Sequence, residues 1–144
     1  MRTETVIQLE TMIDHLTGEE LGLALDFLNA MPETLDAIWI PAIGKKNRPC
    51  GLLQTLCIPQ FEEKVVAAIF RHTHSLGLRR LAIERYVLDR QIAMVEKNGK
   101  AINAKIYDID GETFIRPEND FIKRAVAESG SGAPAFRILK KQPK

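Results

Sequence analysis

Residues 43–53 read IGKKNRPCGLL and place three fixed positive charges within a few positions of one another. The cations are Lys45, Lys46 and Arg48, with Asn47 between them. Lysine offers a point charge to phosphate oxygens and arginine a two-pronged fork, and glycine and asparagine allow backbone N–H groups to turn towards an anion. A solvated turn and a phosphate site are both possible interpretations. Spacing alone favours the turn, because charge clusters in turns are usually solvated, and the segment does not follow the Walker A pattern.

A second candidate is Asp14, which we expect at the end of a strand just before a helix begins. A carboxylate there suits a hard cation such as Mg²⁺ beside phosphates, although it could equally close the turn. The free N–H groups of Gly18 and Glu19 at the helix start also favour an anion. Arg79 follows the second predicted helix, from which it could reach a phosphate bound near that loop.

The histidines and cysteines do not follow the spacing of a metal site. His72 and His74 are two positions apart on a predicted helix, so they point in different directions. His72 lies on the apolar stripe, which indicates a hydrogen-bonded core residue, and His15 stands alone. Cys50 and Cys57 lack the paired spacing of a zinc site, so we interpret them as small core or edge residues.

Composition limits the classes of function. The 144 residues carry a net charge of +1, so any anion site must come from local clustering rather than bulk charge. Only 6% of residues are aromatic, which together with the near-neutral charge argues against nucleic-acid binding. No apolar run approaches the roughly 18 to 20 residues that a membrane helix needs, and no signal-peptide region opens the chain. Two cysteines do not make a disulfide framework in a chain of this size, so we expect a reducing, cytoplasmic setting, and no membrane partner.

The predicted elements up to residue 90 follow the order β-α-β-β-α-β, which is the ferredoxin-like arrangement. A strand ends near Asp14, and a helix begins at a capping box formed by Thr17 and Glu20. Two strands then enclose the cationic segment as a hairpin. Pro59 opens the second helix, whose apolar stripe extends to Leu76 before Gly77 ends it.

Residues 91–144 are predicted to add a β unit, a third helix and a tail. Tight hairpin turns are expected at Asn98-Gly99 and Asp110-Gly111. Asn119 or Asp120 is expected to cap the third helix, and Gly130 follows it. The predicted fold class is α+β, a ferredoxin-like βαββαβ sandwich with an appended small β-hairpin and helix subdomain. We predict one domain over 1–144, with its core in 1–90.

Four segments in the same order resemble the C-terminal domain of the LarC nickel-insertion proteins. LETMIDHLTGEELGLAL is similar to a Glu-Thr-Asn-Ile-Asp-Asp-Met-Thr-x-Glu-x-Leu-Gly segment, and KKNRPCGLL to a Lys-Lys-x-Arg-Pro-Gly hairpin. IFRHTHSLGLRRLAIERYVLDRQIAMVE resembles a helix ending Thr-Leu-Gly-Val-Arg and the Glu-Arg-x-x-Leu-x-Arg strand after it. RPENDFIKRAVAESG resembles a Lys-Pro-Glu-rich closing helix. The resemblance extends from about Val6 to Leu139.

The resemblance implies a function. LarC proteins are CTP-dependent cyclometallases of the lyase class, which insert nickel into pyridinium-3,5-bisthiocarboxylic acid mononucleotide and so complete the nickel-pincer cofactor. The segment matched here looks like their CTP-binding part, which works with Mg²⁺ or Mn²⁺, and nickel is the substrate metal. The implied partners are CTP, a protein that supplies the LarC N-terminal half, and further copies of this chain in a homo-oligomer.

The resemblance also suggests roles for individual residues. The predicted nucleotide-binding residues are Lys45, Lys46, Asn47, Arg48 and Arg79. Asp14 is the predicted metal ligand, and no residue is assigned to catalysis. The family asparagine and second aspartate are replaced by Met12 and His15 here. These changes leave open a diverged, non-catalytic ligand-sensing or oligomerisation module with an anion-binding hairpin.

Overall fold

A computed structural model describes residues 1–97, 100–130 and 139–140. The chain divides into two compact units. One unit is Thr3–Arg85, and the other combines Met1–Arg2 with the described residues from Tyr86 onward. This division falls near the predicted boundary after residue 90, and the single domain over 1–144 stays a prediction. Among the described residues, no helix has both the length and the apolarity that crossing a bilayer requires.

The first unit contains a four-stranded sheet in the order β2-β3-β1-β4. Its elements, in chain order, are β1 Arg2–Ile13, α1 Gly18–Ala30, β2 Thr34–Ile43, β3 Pro49–Cys57, α2 Glu62–Thr73 and β4 Arg79–Val87. β3 pairs antiparallel with both β1 and β2. This order confirms the ferredoxin-like prediction.

Alternate side chains of β1 face the core, and those between them face the opposite side of the sheet. Ile7, Leu9 and Ile13 are buried, together with Leu28 of α1 and Ile69 of α2. Successive side chains of a strand point to opposite faces, so the residues between these belong to the other face. That face carries Gln8, Glu10 and Met12.

The start of α1 has the predicted capping box. The Thr17 hydroxyl accepts a hydrogen bond from the Glu20 N–H at 3.3 Å, and the Glu20 carboxylate accepts one from the Thr17 N–H at 2.8 Å. The backbone hydrogen bond from Thr17 holds the pKa of the Glu20 carboxyl below its ordinary value. The turn containing Asp14 and His15 is therefore tied to a fixed helix start.

The end of α2 differs from the prediction. The helix ends at Thr73 instead of continuing through Leu76, so the prediction that Gly77 lies just past its end was wrong. His74 adopts a left-handed conformation with φ 51° and donates its N–H to the carbonyl of Phe70 at 2.9 Å. The Thr73 hydroxyl accepts from the Ser75 N–H, which turns the chain out of the helix.

The beginning of this helical segment also differs from the prediction, because a separate turn precedes α2. Pro59–Phe61 forms a separate 3₁₀ turn, and α2 begins at Glu62. Leu76 is fully exposed, because it lies on the loop after α2 and not on the helix stripe. The early end of α2 therefore frees residues 75–78 to line a surface cleft.

The second unit is built on a sheet in the order β5-β6-β7-β8, with Ile102 and Ala104 buried. Its elements, in chain order, are β5 Arg90–Lys97, β6 Lys100–Ile109, β7 Glu112–Pro117, α3 Asn119–Ser129 and β8 Leu139–Lys140. Asp110 and Gly111 have φ of 50° and 82° and join β6 to β7, which confirms the predicted tight turn. The predicted turn at Asn98-Gly99 lies outside the described residues.

The third helix begins one or two positions earlier than predicted. Glu118 is the extended residue before it, so Asn119 is the first helical residue and neither Asn119 nor Asp120 is the cap. The Glu118 side chain makes no capping hydrogen bond, so this helix start lacks the side-chain cap on which the prediction relied. Gly130 ends the helix with φ 69°, as predicted.

Candidate functional site

The predicted site residues lie at one end of the first sheet. Ile13 at the end of β1 is paired with Gly51 of β3, and Gly51 is paired with Pro41 of β2. The tip between β2 and β3, which we define as residues 44–48, therefore projects from the sheet end where Asp14 lies. The strand register thus brings the two candidate sites of the sequence to the same edge.

The tip is a tight turn whose backbone is partly occupied. The Gly44 N–H donates to the Arg48 carbonyl at 2.9 Å, and the Arg48 N–H donates to the Lys45 carbonyl at 3.3 Å. Lys46 and Asn47 have φ of 58° and 57°, which places both in the left-handed region. Two of the N–H groups that a phosphate cradle would need are therefore used within the turn.

The side chains of the tip are exposed. Lys45, Lys46, Asn47 and Arg48 all lie in solvent. Throughout residues 1–97, 100–130 and 139–140, no carboxylate lies within ion-pairing distance of Lys45, Lys46 or Arg48. Exposed charges without partners remain able to bind a polyanion, although solvent and salt screen them.

A cleft of about 790 Å³ lies beside the ends of β1 and α2. Its lining comes from the end of β1, the following turn, and the loop that leads from α2 into β4. The lining residues are Glu10, Met12, Asp14, His15, His74, Ser75, Leu76, Gly77, Leu78 and Arg79. The structure thus brings Asp14 and Arg79 into one cleft, whereas the tip residues are not part of its lining.

Arg79 lies at the cleft within ion-pairing distance of Glu10. The Arg79 Nε lies 3.7 Å from Glu10 Oε2, and the arginine side chain is 64% exposed while that of Glu10 is 17% exposed. The Glu10 Oε1 atom accepts hydrogen bonds from the side-chain amides of Gln8 at 2.7 Å and Gln54 at 3.3 Å. Sequence reasoning missed Glu10, although it shares a strand face with Met12 and could have been found from the alternation of β1.

The neighbouring Arg80 is engaged elsewhere. Its Nε and Nη2 donate to the two carboxylate oxygens of Glu62 at 2.6 and 2.9 Å. This hydrogen bonding holds the pKa of the Glu62 carboxyl below its ordinary value. Because adjacent strand residues point to opposite faces, Arg79 alone of the two faces the cleft.

Asp14 is open to solvent and only loosely paired. Its Oδ1 lies 3.8 Å from the Nδ1 of His15, and 54% of the Asp14 side chain is exposed. The Nε2 of His15 lies 2.7 Å from the carbonyl of Thr73, to which it can donate at the end of α2. This contact orients the imidazole and leaves the Asp14 carboxylate accessible to a cation.

The remaining histidines and cysteines form no metal site. Within the described parts of the chain, no cluster of three or more potential ligand side chains could hold an ion. His72 is half-buried and stacks on Phe27 with ring centroids 3.8 Å apart, so its predicted role as a hydrogen-bonded core residue was wrong. Cys57 is buried in the core and Cys50 is half-buried, as predicted. Burial raises the pKa of the Cys57 thiol.

A sequence-family comparison identifies the family of this chain. The profile of the family described as "Nickel insertion protein" matches residues 1–135. The chain belongs to the nickel insertion protein family. This match confirms the resemblance to the LarC proteins found in the sequence.

Two relatives within the nickel insertion protein family have full functional names. The pyridinium-3,5-bisthiocarboxylic acid mononucleotide nickel insertion protein of Alkaliphilus metalliredigens is 33% identical over 86% of this chain and 29% of its own length. The protein of the same name from Acetivibrio thermocellus is 34% identical over 87% of this chain and 30% of its own length. This chain therefore spans about a third of the length of the relatives that it matches.

Solved structures support the fold. The apo form of the C-terminal domain of LarC, described as a cyclometallase involved in synthesis of the NPN cofactor of lactate racemase, has a TM-score of 0.81 and 20% identity. The match covers 94% of both chains. A Methanopyrus kandleri protein, MK0293, has a TM-score of 0.63 and 23% identity over 94% of this chain and 85% of its own. At these identities the likeness shows the fold.

Proposed function

We propose that this chain is the CTP- and Mg²⁺-binding domain of a nickel insertase that metallates pyridinium-3,5-bisthiocarboxylic acid mononucleotide. The observation that carries the proposal is that Asp14 and Arg79, distant in sequence, line one cleft. The cationic tip projects from the same end of the sheet. The names of the family relatives support nickel insertion into this mononucleotide.

The cleft and the tip can each contact the phosphates of a nucleoside triphosphate. Arg79 can present a planar fork to a phosphate oxygen, while Lys45, Lys46 and Arg48 supply screened charges from the neighbouring tip. Asn47 adds a side-chain amide to the tip. Fixed charges of this kind hold a polyphosphate without forming a bond to it.

Asp14 fits a cation that is shared with the nucleotide. Mg²⁺ keeps several waters and is commonly held by one or two carboxylates together with substrate phosphates. The single open carboxylate of Asp14 meets that need, and the lack of a three-ligand cluster in the described residues is compatible with it. Mn²⁺ accepts similar oxygen ligands. Nickel would be the substrate metal of the insertase, distinct from the cation that Asp14 holds.

The complete reaction needs more than this chain. The relatives are about three times as long, so we propose that their N-terminal segment, or a partner protein that supplies it, contributes the missing part of the insertase. Assignment to the lyase class, assembly as a homo-oligomer and a cytoplasmic location belong to the same proposal.

Calorimetric titration of the 144-residue chain with CTP, ATP and GTP in the presence of Mg²⁺ tests the nucleotide site. We expect CTP to bind and to raise the melting temperature by linkage, with about 2.7 kcal/mol of stabilisation at 100 times Kd. Arg79→Ala should weaken binding, whereas Arg124→Ala removes the same charge from α3 and should not. Absence of binding and of any thermal shift at millimolar CTP would contradict the proposal.

A second candidate function rests on Met12 and His15. Both residues that depart from the LarC pattern line the cleft beside Asp14. A thioether and an imidazole are poorer ligands for Mg²⁺ than the amide and carboxylate that they replace. A non-catalytic module that binds an anion would retain phosphate binding without a Mg²⁺ requirement. Repeating the titration in EDTA separates this alternative from the insertase.

A further inference from the structure

Glu10 places a negative charge in the cleft where the proposed function requires an anion to bind. Its side chain is 17% exposed, and its Oε1 atom accepts from two amides on separate strands, Gln8 on β1 and Gln54 on β3. A carboxylate near an anion opposes its binding, so a site evolved only for charge would not contain one. The contacts of Glu10 indicate a different task.

Arg79 is the group on which Glu10 acts. The Glu10 Oε2 atom lies 3.7 Å from Arg79 Nε, and Glu10 is the only ion-pair partner of Arg79 in the described part of the chain. A long exposed side chain loses rotamer entropy when a ligand immobilises it. A contact at Nε restricts the side chain in advance and leaves the terminal Nη groups able to form a fork with an oxyanion.

We propose that Glu10 is a positioning residue, which holds the Arg79 guanidinium so that its Nη groups face a phosphate of the ligand in the cleft. The inference rests on the proposed function, because the ligand is the CTP triphosphate. Gln8 and Gln54 complete the arrangement by fixing the carboxylate that fixes the arginine. Orientation of Arg79 therefore depends on three strands, β1, β3 and β4.

The molecule contains a second Glu–Arg ion pair between the same two strands, at a shorter distance than the Glu10–Arg79 pair. Arg85 Nε donates to Glu4 Oε1 at 2.7 Å, and this pair also joins β1 to β4. Neither Glu4 nor Arg85 lines the cleft. The two pairs share residue types and strands, so a difference between them reports the role of the cleft.

The test measures CTP affinity for Glu10→Gln and Glu4→Gln by calorimetry. If Glu10 acted only through its charge, Glu10→Gln would tighten CTP binding. Positioning gives the opposite sign, and we expect affinity to fall about two- to fivefold, as for the loss of one partly exposed ion pair. Glu4→Gln should stay within about twofold of the parent chain.

A double-mutant cycle shows whether Glu10 works through Arg79. In the Arg79→Gln background, Glu10→Gln should cause no further loss, because the group that it positions is already gone. Gln54→Leu loosens Glu10 without replacing it and keeps the test valid if Glu10→Gln unfolds. It should weaken CTP binding in the same direction, and again only when Arg79 is present.

The outcomes separate the inference from the proposed function. If the parent chain does not bind CTP, the proposed function is wrong. If it binds and Glu10→Gln binds equally well or more tightly, or loses affinity in the Arg79→Gln background too, the inference alone is wrong. A loss that appears with Mg²⁺ and vanishes in EDTA would show that Glu10 acts on the cation, which also contradicts the inference.

Discussion

The tip and the cleft use positive charge in opposite ways. At the tip, Lys45, Lys46 and Arg48 are exposed and have no carboxylate partner within the described residues. At the cleft, Arg79 forms an ion pair with Glu10, whose carboxylate accepts hydrogen bonds from two side-chain amides. The tip places three cations close together, with no partner in the described part of the chain that would orient them. The cleft pairs one cation, Arg79, with a carboxylate on a neighbouring strand.

The difference predicts different kinds of binding energy. Exposed cations attract a polyanion over several ångströms and are screened by salt, so they favour capture more than geometry. A positioned guanidinium favours one arrangement of the phosphate and is less sensitive to salt. In the proposed insertase the tip would attract the nucleotide, and the cleft would fix it.

The largest expected effect comes from Gly51, which underlies both regions. A Cβ atom added there would lie 2.3 Å from the Trp39 ring and 2.7 Å from the Ile40 carbonyl. Gly51→Ala should therefore lower the free energy of unfolding by about 1–3 kcal/mol and weaken CTP binding at both regions together. Chemical denaturation and calorimetry measure the two effects.

Gly22→Ala is the matched control for Gly51→Ala. No atom lies within 4 Å of an added Cβ at Gly22, which is in α1. Alanine is a better helix former than glycine, so this variant should gain about 0.5–1 kcal/mol of stability. If the two variants unfold at the same denaturant concentration, the close approach of Trp39 to Gly51 is not a constraint on the fold.

Removal of the tip charges should have the next largest effect. The triple variant Lys45→Ala, Lys46→Ala, Arg48→Ala should bind CTP about tenfold or more weakly at low salt, which is about 1.4 kcal/mol or more. The deficit should shrink as salt rises towards about 1 M, where the screening length is about 3 Å. Calorimetry across a salt series measures it.

The salt series distinguishes the tip from the cleft. The deficit of Arg79→Ala should persist at high salt, and Lys123→Ala on α3 should bind like the parent chain. Equal salt dependence for the triple variant and Arg79→Ala would remove the contrast between the two regions.

The smallest expected effect is a pH-dependent change in melting temperature, caused by Glu20 at the start of α1. The Thr17 backbone N–H lowers the pKa of Glu20 in the folded state. The ionised carboxylate therefore stabilises the fold above its ordinary pKa of about 4.3, and this contribution is lost as pH falls through the lowered value. Glu20→Gln should melt below the parent chain at neutral pH, and the difference should narrow towards pH about 2. A difference independent of pH would show that the charge of Glu20 does not matter.

Features carried by neighbouring residues were predictable from sequence. Thr17 and Glu20 satisfy N–H groups within one helical turn, and Asp110 and Gly111 tolerate the positive φ of a tight hairpin. The end of α2 was mispredicted because the apolar stripe suggested continuation while Thr73 could bond its own backbone neighbours. Glu10 was missed because two of its partners, Gln54 on β3 and Arg79 on β4, are far away in sequence.

By itself, the sequence determined the order of the elements, the family and the concentration of positive charge at residues 45–48. Each follows from periodicity, ordered motifs or local composition, which need no knowledge of distant contacts. Only the tertiary structure decided that Asp14 and Arg79 share a cleft, that the tip lies outside its lining, and that Glu10 forms an ion pair with Arg79. Those relations depend on strand register and on the place where α2 ends, because both set which distant side chains meet.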